Sequence, residues 1–264
     1  PILFSVPNHD TVRFDVSKPM EPIVFLQLKK NFGFAGGNNA GLGYAFMKND
    51  FKYAWLLNND TVIAQDSLTK LVRKMELAEA HDMKCGIMGS KLYYYEPQEI
   101  LHGVGGRFSP WLAHSWLIGN RQKDSGQYDN GKFKQDFVIG ASMFVSKAFI
   151  EDVGVMSEDY FLYNEEIDWC LQGKRKGWSI ATCLDSIVYH KHGMTIGRRG
   201  AKKVTNLFAQ KYLHRNKMIT YRKFYSLYFP MLFINYWRII LTCIFKGRFA
   251  EAWLVFKIMF FIER

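Results

Sequence analysis

The apolar run Tyr53-Ala54-Trp55-Leu56-Leu57, followed at once by Asn58-Asn59-Asp60-Thr61, constrains this chain more than any other stretch. Five consecutive apolar residues ended by turn formers read as a buried strand of an α/β sheet. Asn-Asn-Asp favours a turn on its own account. That turn also sets a carboxylate, Asp60, at the C-terminal mouth of the strand, where open α/β sheets bind their ligands. Apart from Asp66, which reads as a helix start, the nearest other acidic side chains are Asp50 and Glu76. Asp60 is therefore a candidate for holding one divalent cation against a phosphate, since hard cations prefer oxygen ligands.

Upstream, Asn31-Phe32-Gly33-Phe34-Ala35-Gly36-Gly37-Asn38-Asn39-Ala40-Gly41 places four glycines and three asparagines between a strand expected over residues 23–28 and a helix expected over residues 40–48. Glycine tolerates the positive φ that a nest of backbone N–H groups needs, and a helix N-terminus behind such a loop favours negative charge. No Gly-Lys-Ser/Thr closes it as in a P-loop, and the Gly-x-Gly-x-x-Gly spacing of dinucleotide folds is missing.

Further along, Glu165, Glu166 and Asp168 form the tightest acidic cluster in the chain, and Trp169-Cys170-Leu171 with Gly177 outline a short helix whose first turn holds them. Charge complementarity with a helix N-terminus, worth roughly 0.3–1 kcal/mol, is sufficient structural reason for such a cluster. Mutual repulsion also raises at least one of the carboxyl pKa values, which suits proton abstraction. Ile187-Val188-Tyr189 is a short strand-like run ending in His190. A histidine at a strand end is more often structural than a ligand.

In combination, the Asn31 to Asn39 segment and Leu56-Leu57-Asn58-Asn59-Asp60-Thr61 resemble the inverting glycosyltransferases of family 2, in particular the bacterial rhamnosyltransferase-like branch. Two more blocks are similar to that family: Gly140-Ala141-Ser142-Met143-Phe144-Val145 with Phe161-Leu162-Tyr163-Asn164-Glu165-Glu166-Ile167-Asp168-Trp169-Cys170-Leu171, and Val188-Tyr189-His190-Lys191-His192-Gly193. The blocks fall in family order across roughly residues 23–195. The resemblance implies an α/β fold of GT-A type, a Rossmann-like mixed sheet flanked by helices. It implies that Asn31, Gly33, Phe34, Ala35, Gly36, Gly37, Asn38 and Asn39, with Asn58, Asn59 and Asp60, line a nucleotide diphosphate sugar donor site. Asp60 and His190 would hold a divalent metal, Mn2+ or Mg2+, and imidazole suits manganese better. His192 would replace His190 if the register is off by two. Glu166 is the expected general base, with Glu165 as understudy and Asp168 orienting the acceptor or bracing its loop. Many relatives carry aspartate at the Glu166 position, and glutamate reaches one methylene further. His102, in Leu101-His102-Gly103-Val104-Gly105-Gly106, receives no catalytic role.

The chemistry agrees with these residue types, because moving a sugar from a nucleotide diphosphate to an alcohol requires a base and a counter-charge for the leaving group. The implied reaction is a single inverting displacement that delivers a deoxyhexose such as rhamnose to a glycan or polyprenyl-pyrophosphate-linked acceptor. Family members begin with a strand, a helix and a second strand, and nothing of that kind precedes residue 23. The first βαβ portion is expected to be missing. The rival reading is a catalytically silent, membrane-associated scaffold.

At 264 residues and 48% hydrophobic, the chain can bury a sizeable core. Cys85, Cys170, Cys183 and Cys243 lack metal-binding spacing and read as reduced residues of a cytosolic protein. The first 22 residues contain no signal peptide pattern. Leu68, Leu71, Val72, Met75 and Ala78 predict an amphipathic helix, residues 85–92 a strand, and residues 93–135 a surface excursion with exposed or core aromatics such as Trp111 and Trp116. Residues 1–200 are assigned to the catalytic domain and 201–264 to a basic, aromatic, helical tail that associates with membrane or dimerises. Pro230, Asn235 and Arg238 interrupt the apolar run that a spanning helix needs, so an interfacial anchor on the cytoplasmic face of the bacterial inner membrane is expected, or a hairpin packed on the catalytic domain or a second subunit. The net charge of +11 fits anionic partners, and without a groove-reading motif nucleic acid is not expected.

Overall fold

A computed structural model of the chain describes residues 24–191 and 207–260. Helix α1 (Gly33–Lys48) precedes β1 (Tyr53–Leu57), β2 (Thr61–Ile63), α2 (Ser67–Ala80) and β3 (Cys85–Tyr94). Short strands β4 (Leu101–Gly103), β5 (Gly106–Ser109) and β6 (His114–Leu117) lead to β7 (Ser142–Ser146), α3 (Lys147–Val153), α4 (Glu165–Arg175) and β8 (Ser179–His190). Three helices follow, α5 (Leu207–Phe224), α6 (Phe229–Phe245) and α7 (Phe249–Met259), with a 3-10 turn at Ser226–Tyr228. The architecture is a mixed α/β sheet flanked by helices.

The main sheet runs β1-β7-β3-β8-β2, with β4 beside β3, and a separate ribbon joins β5 to β6. Among the described residues only β3 and β8 pair in parallel; the other pairs are antiparallel. β7 and the first eight residues of β3 are buried throughout, as inner strands covered on both faces should be. β1, expected as a buried strand, lies at a sheet edge: among the described residues it pairs only with β7, and of its five residues only Leu56 is buried.

Packing across the sheet depends on bare backbone. A Cβ on Gly86 of β3 would sit 2.1 Å from the Phe149 ring, and one on Gly173 of α4 would sit 2.4 Å from it. Phe149 is thereby clamped between strand and helix, edge-on to Trp169 and Trp178 at centroid distances of 5.4 and 5.5 Å. On the other face α2 buries Leu71, Met75 and Ala78 against Met88, Phe144 and Cys183, while Leu68 is exposed. Asp66 stands at the cap position of α2 but gives its carboxylate to Lys70 instead of a backbone N–H.

Two local expectations are corrected. Residues 24–28 form no strand, and Phe25 is 85% exposed; Ile23 lies outside the described residues. The glycine-asparagine segment is not a loop before a helix at residue 40 but the first turns of α1, which begins at Gly33. Tertiary contacts overcome the weak helix propensity of glycine here. Gly33 has φ +74° and lies so close to Phe161 that a Cβ would be 2.0 Å from its carbonyl oxygen. The buried Asn39 amide bonds the backbone of Met156 in both directions and reaches Glu158.

The tail shares its core with the sheet. Met218, Tyr221, Leu232, Tyr236 and Val255 belong to one hydrophobic cluster with Ile87, Phe149 and Trp169. Lys217 Nζ donates to Ala113 O and Tyr221 Oη to Pro110 O, so α5 is seated on the 93–135 excursion. Pro230, expected to interrupt the apolar run, occupies the first turn of α6, where its missing N–H costs nothing. Ser226–Phe245 is therefore one helical stretch long and apolar enough to cross a membrane, with only 22% of that window buried. The four cysteines are free and buried.

Candidate active site

The turn after β1 is tight. Thr61 N and Oγ1 both donate to Asn58 O, at 3.2 and 2.6 Å, and Asn58 N is held by Ala141 O at 3.1 Å. β2 then pairs antiparallel with the end of β8, setting Thr61 opposite His190, and Lys191 N donates to Asp60 O at 2.9 Å. Asp60 Oδ1 and His190 Nε2 consequently stand 3.1 Å apart, 130 residues distant in sequence. His102, given no role from sequence, is buried with its ring edge-on to both His190 and Tyr94 at 5.0 Å. His192 lies outside the described residues.

At that distance the two side chains are hydrogen-bonded to each other, and the same spacing would suit two ligands of one divalent cation. Two ligands at right angles, each about 2.1 Å from one ion, are about 3.0 Å apart, close to the separation seen. Among the described residues no group of three or more His, Cys, Asp or Glu forms a metal cluster.

The acidic cluster occupies the first turn of α4, as its pattern predicts. Tyr163 and Asn164, just before it, both have φ +73°, a conformation unfavourable for tyrosine and tolerable for asparagine. Hydrogen bonds from α5 hold them: Asn216 Nδ2 donates to Leu162 O and Tyr163 O, and Asn164 Nδ2 donates to Thr220 Oγ1. These supporting residues carried no sequence signal, because their partners are more than 50 residues away.

The three carboxylates have different surroundings. Glu165 is buried, and its Oε2 makes no hydrogen bond among the described residues. Burial pushes its carboxyl well up, and the neighbouring Glu166 charge adds to the rise. Burial also raises Glu166, with backbone N–H groups at the helix start pulling the other way. Glu166 keeps partial exposure and lies by Gly140, where a Cβ would be 3.8 Å from its own. Asp168 is completely buried, bonded to Tyr160 Oη at 2.8 Å, to Lys223 Nζ at 3.1 Å and to Gln172. These partners tie Asp168 to Tyr160 and to α5.

Residues 140–141 join the two halves, since Ala141 anchors the Asp60 turn while Gly140 borders Glu166. Phe34, at the start of α1, comes to the same place, 3.5 Å from a Cβ on Gly140. The rest of the expected donor set divides. Asn31, Gly37 and Asn59 are exposed and Gly33, Asn38 and Asn58 partly so, whereas Ala35, Gly36 and Asn39 are buried inside the fold. A separate cavity of about 980 Å³, lined by Lys74, Lys91, Tyr93, Asp129 and Thr182 among others, holds none of the candidate residues. It opens on the opposite face of β3, because Tyr93 alternates with the Tyr94 that meets His102.

No protein-family model matches the chain. Over 167 residues it is 26% identical to the low-salt glycan biosynthesis hexosyltransferase Agl10 of Haloferax volcanii, an alignment covering 62% of this chain and 50% of that protein. The chain thus spans about half the length of this relative. The likeness supports glycosyl transfer in general.

Proposed function

We propose that this chain is an inverting, family 2 glycosyltransferase of GT-A type that moves a sugar, with rhamnose the preferred candidate, from a nucleotide diphosphate to a hydroxyl of a glycan or lipid-linked acceptor. The observation that carries this reading is the convergence, beside residues 140–141, of the partly exposed Glu166 carboxylate with the Asp60–His190 pair, 3.1 Å apart.

Glu166 would accept the proton of the acceptor hydroxyl, since it keeps access and its raised pKa makes it a stronger base than an ordinary carboxylate. Glu165 and Asp168 would not touch substrate: the first stays enclosed beside Glu166, the second fixes α4. Asp60 and His190 would hold Mn2+ or Mg2+, which when bound offsets the charge gathering on the departing diphosphate. Attack opposite the leaving group in one step inverts the anomeric centre.

Titration calorimetry of the 264-residue chain against a panel of nucleotide diphosphates, with and without manganese, tests the reading. One nucleotide should bind in a metal-dependent way, Asp60→Asn should abolish the metal dependence, and Glu166→Gln should keep binding while losing transfer. Absence of binding by every nucleotide, or turnover retained by Glu166→Gln, would refute it.

A further inference from the structure

The last two helices expose an unusual amount of large apolar surface for elements that also build the core. On α6, Leu232, Tyr236, Ile240 and Cys243 are buried, whereas Ile234, Trp237, Leu241 and Phe245 face solvent, Phe245 at 88%. On α7 the buried apolar set is Ala252, Leu254, Val255, Ile258 and Met259, and the exposed set is Phe249 and Trp253, followed by Phe260. The two exposed stripes are one surface. Phe256 joins them, with ring centroids 6.3 Å from Trp237, 5.5 Å from a parallel-stacked Trp253 and 4.9 Å from Phe260. Contiguous apolar patches of this kind mark contact with a partner or membrane.

Charge selects the partner. Residues 226–260 contain Arg238, Lys246, Arg248 and Lys257 against a single carboxylate, Glu251. Glu251 is buried and ion-paired with Arg248, so among the described residues of these two helices no carboxylate is exposed. Tryptophans bordered by lysine and arginine match the polar–apolar boundary of a bilayer with anionic headgroups. Two copies meeting through this face about a twofold axis would oppose like charges, which disfavours self-association.

Length alone would let Ser226–Phe245 span a bilayer, but the packing argues otherwise. One side of α6 is embedded in the same core as Phe149 and Trp169, and Tyr236 Oη donates to His214 O at 2.6 Å. A spanning position would strip away that half of the helix. We infer that α6 and α7 lie in the plane of an anionic membrane, with Trp237, Phe256 and Trp253 sunk into the headgroup layer. Because α5 ties these helices to the strained turn before Glu166, the membrane would also present the acceptor as a lipid-borne glycan. That last clause rests on the proposed transfer reaction; the membrane surface does not.

The test is co-sedimentation of the full chain with vesicles of phosphatidylcholine alone and of phosphatidylcholine with phosphatidylglycerol, at low and high salt. Binding should be tighter to the anionic vesicles by about tenfold or more and should weaken with salt. Trp237→Ser with Trp253→Ser should lose binding to both vesicle types, whereas Arg238→Glu with Lys246→Glu should lose only the anionic preference. Circular dichroism and the melting temperature confirm that each variant is folded. Vesicle binding unchanged in the tryptophan variant would overturn the inference. So would failure of the parent chain to bind vesicles together with a dimer that the same variant dissociates, which would assign the face to a second copy. Vesicle binding without nucleotide binding would sink the transfer reaction and leave the membrane surface standing.

Discussion

Lys223→Met should uncouple the tail from the candidate catalytic helix, and its cost can be worked from the contacts. Lys223 Nζ lies 3.1 Å from Asp168 Oδ2, and the Asp168 side chain is 0% exposed while that of Lys223 is 33% exposed. Removing one partner of a buried ion pair costs about 3–5 kcal/mol, because the other charge is left without compensation. Two features reduce that figure here. Water reaches Lys223, and Asp168 keeps Tyr160 and Gln172 as partners. The expected loss is about 2–3 kcal/mol, equivalent to roughly 5–10 °C in melting temperature for a chain of this size. Asp168→Asn should cost less, since the amide preserves the shape and Lys223 retains Asp159 and Ser157. The double variant should lose less than the two single losses combined, by at least about 1 kcal/mol. Unfolding in urea monitored by tryptophan fluorescence is a suitable assay because buried Trp169 adjoins Asp168. Single losses that add within about 0.5 kcal/mol would show that the pair does not couple α5 to α4.

Phe149→Ala should cost about 3–5 kcal/mol in the same assay, because rigid backbone at Gly86 and Gly173 and the rings of Trp169 and Trp178 prevent the void from collapsing; a loss under about 1 kcal/mol would contradict the clamp. Burial pushes His214 down to about 4, with the Lys217 charge assisting, so the unfolded chain takes up a proton from pH 6.5 downward while the folded chain does not. Its contribution is complete above pH 6.5 and is lost toward pH 4, on the order of 3 kcal/mol, and thermal melts of His214→Gln should show a shallower slope across that window. Glu166 behaves in the opposite sense: its raised pKa means the folded state holds the proton longer, so stability declines as pH rises past the ordinary carboxylate value of 4.5. The acid limb of the transfer rate should correspondingly sit above 4.5, and a limb at the ordinary value would exclude Glu166 as the base.

Local pattern was enough to place most elements that present the site. The 3.6-residue spacing of Leu71, Met75 and Ala78 foretold α2, the acidic cluster foretold the start of α4, and the apolar runs foretold β1, β3 and the end of β8. It failed where a residue serves a distant contact. The glycines of α1 read as a loop because glycine is a poor helix former, yet Gly33 permits the close approach to Phe161 while Asn39 bonds the Met156 backbone and the Glu158 carboxylate. Asn216, Thr220 and Lys223 look like ordinary polar positions on a basic helix, and only their neighbours in space give them a role.

The sequence by itself determined the chemistry available to this protein: the residue types at Asp60, Glu166 and His190, their order, and the strand and helix ends that carry them. Tertiary structure alone decided which of these meet. Pairing β2 with β8 brought Asp60 to His190 across 130 residues, packing left Glu166 accessible while enclosing Glu165 and Asp168, and the fold of α6 on α7 turned scattered aromatics into one surface. The physical reason is that propensity and periodicity act over one or two turns of chain, whereas burial, ion pairing and proton affinity depend on what the rest of the molecule brings alongside.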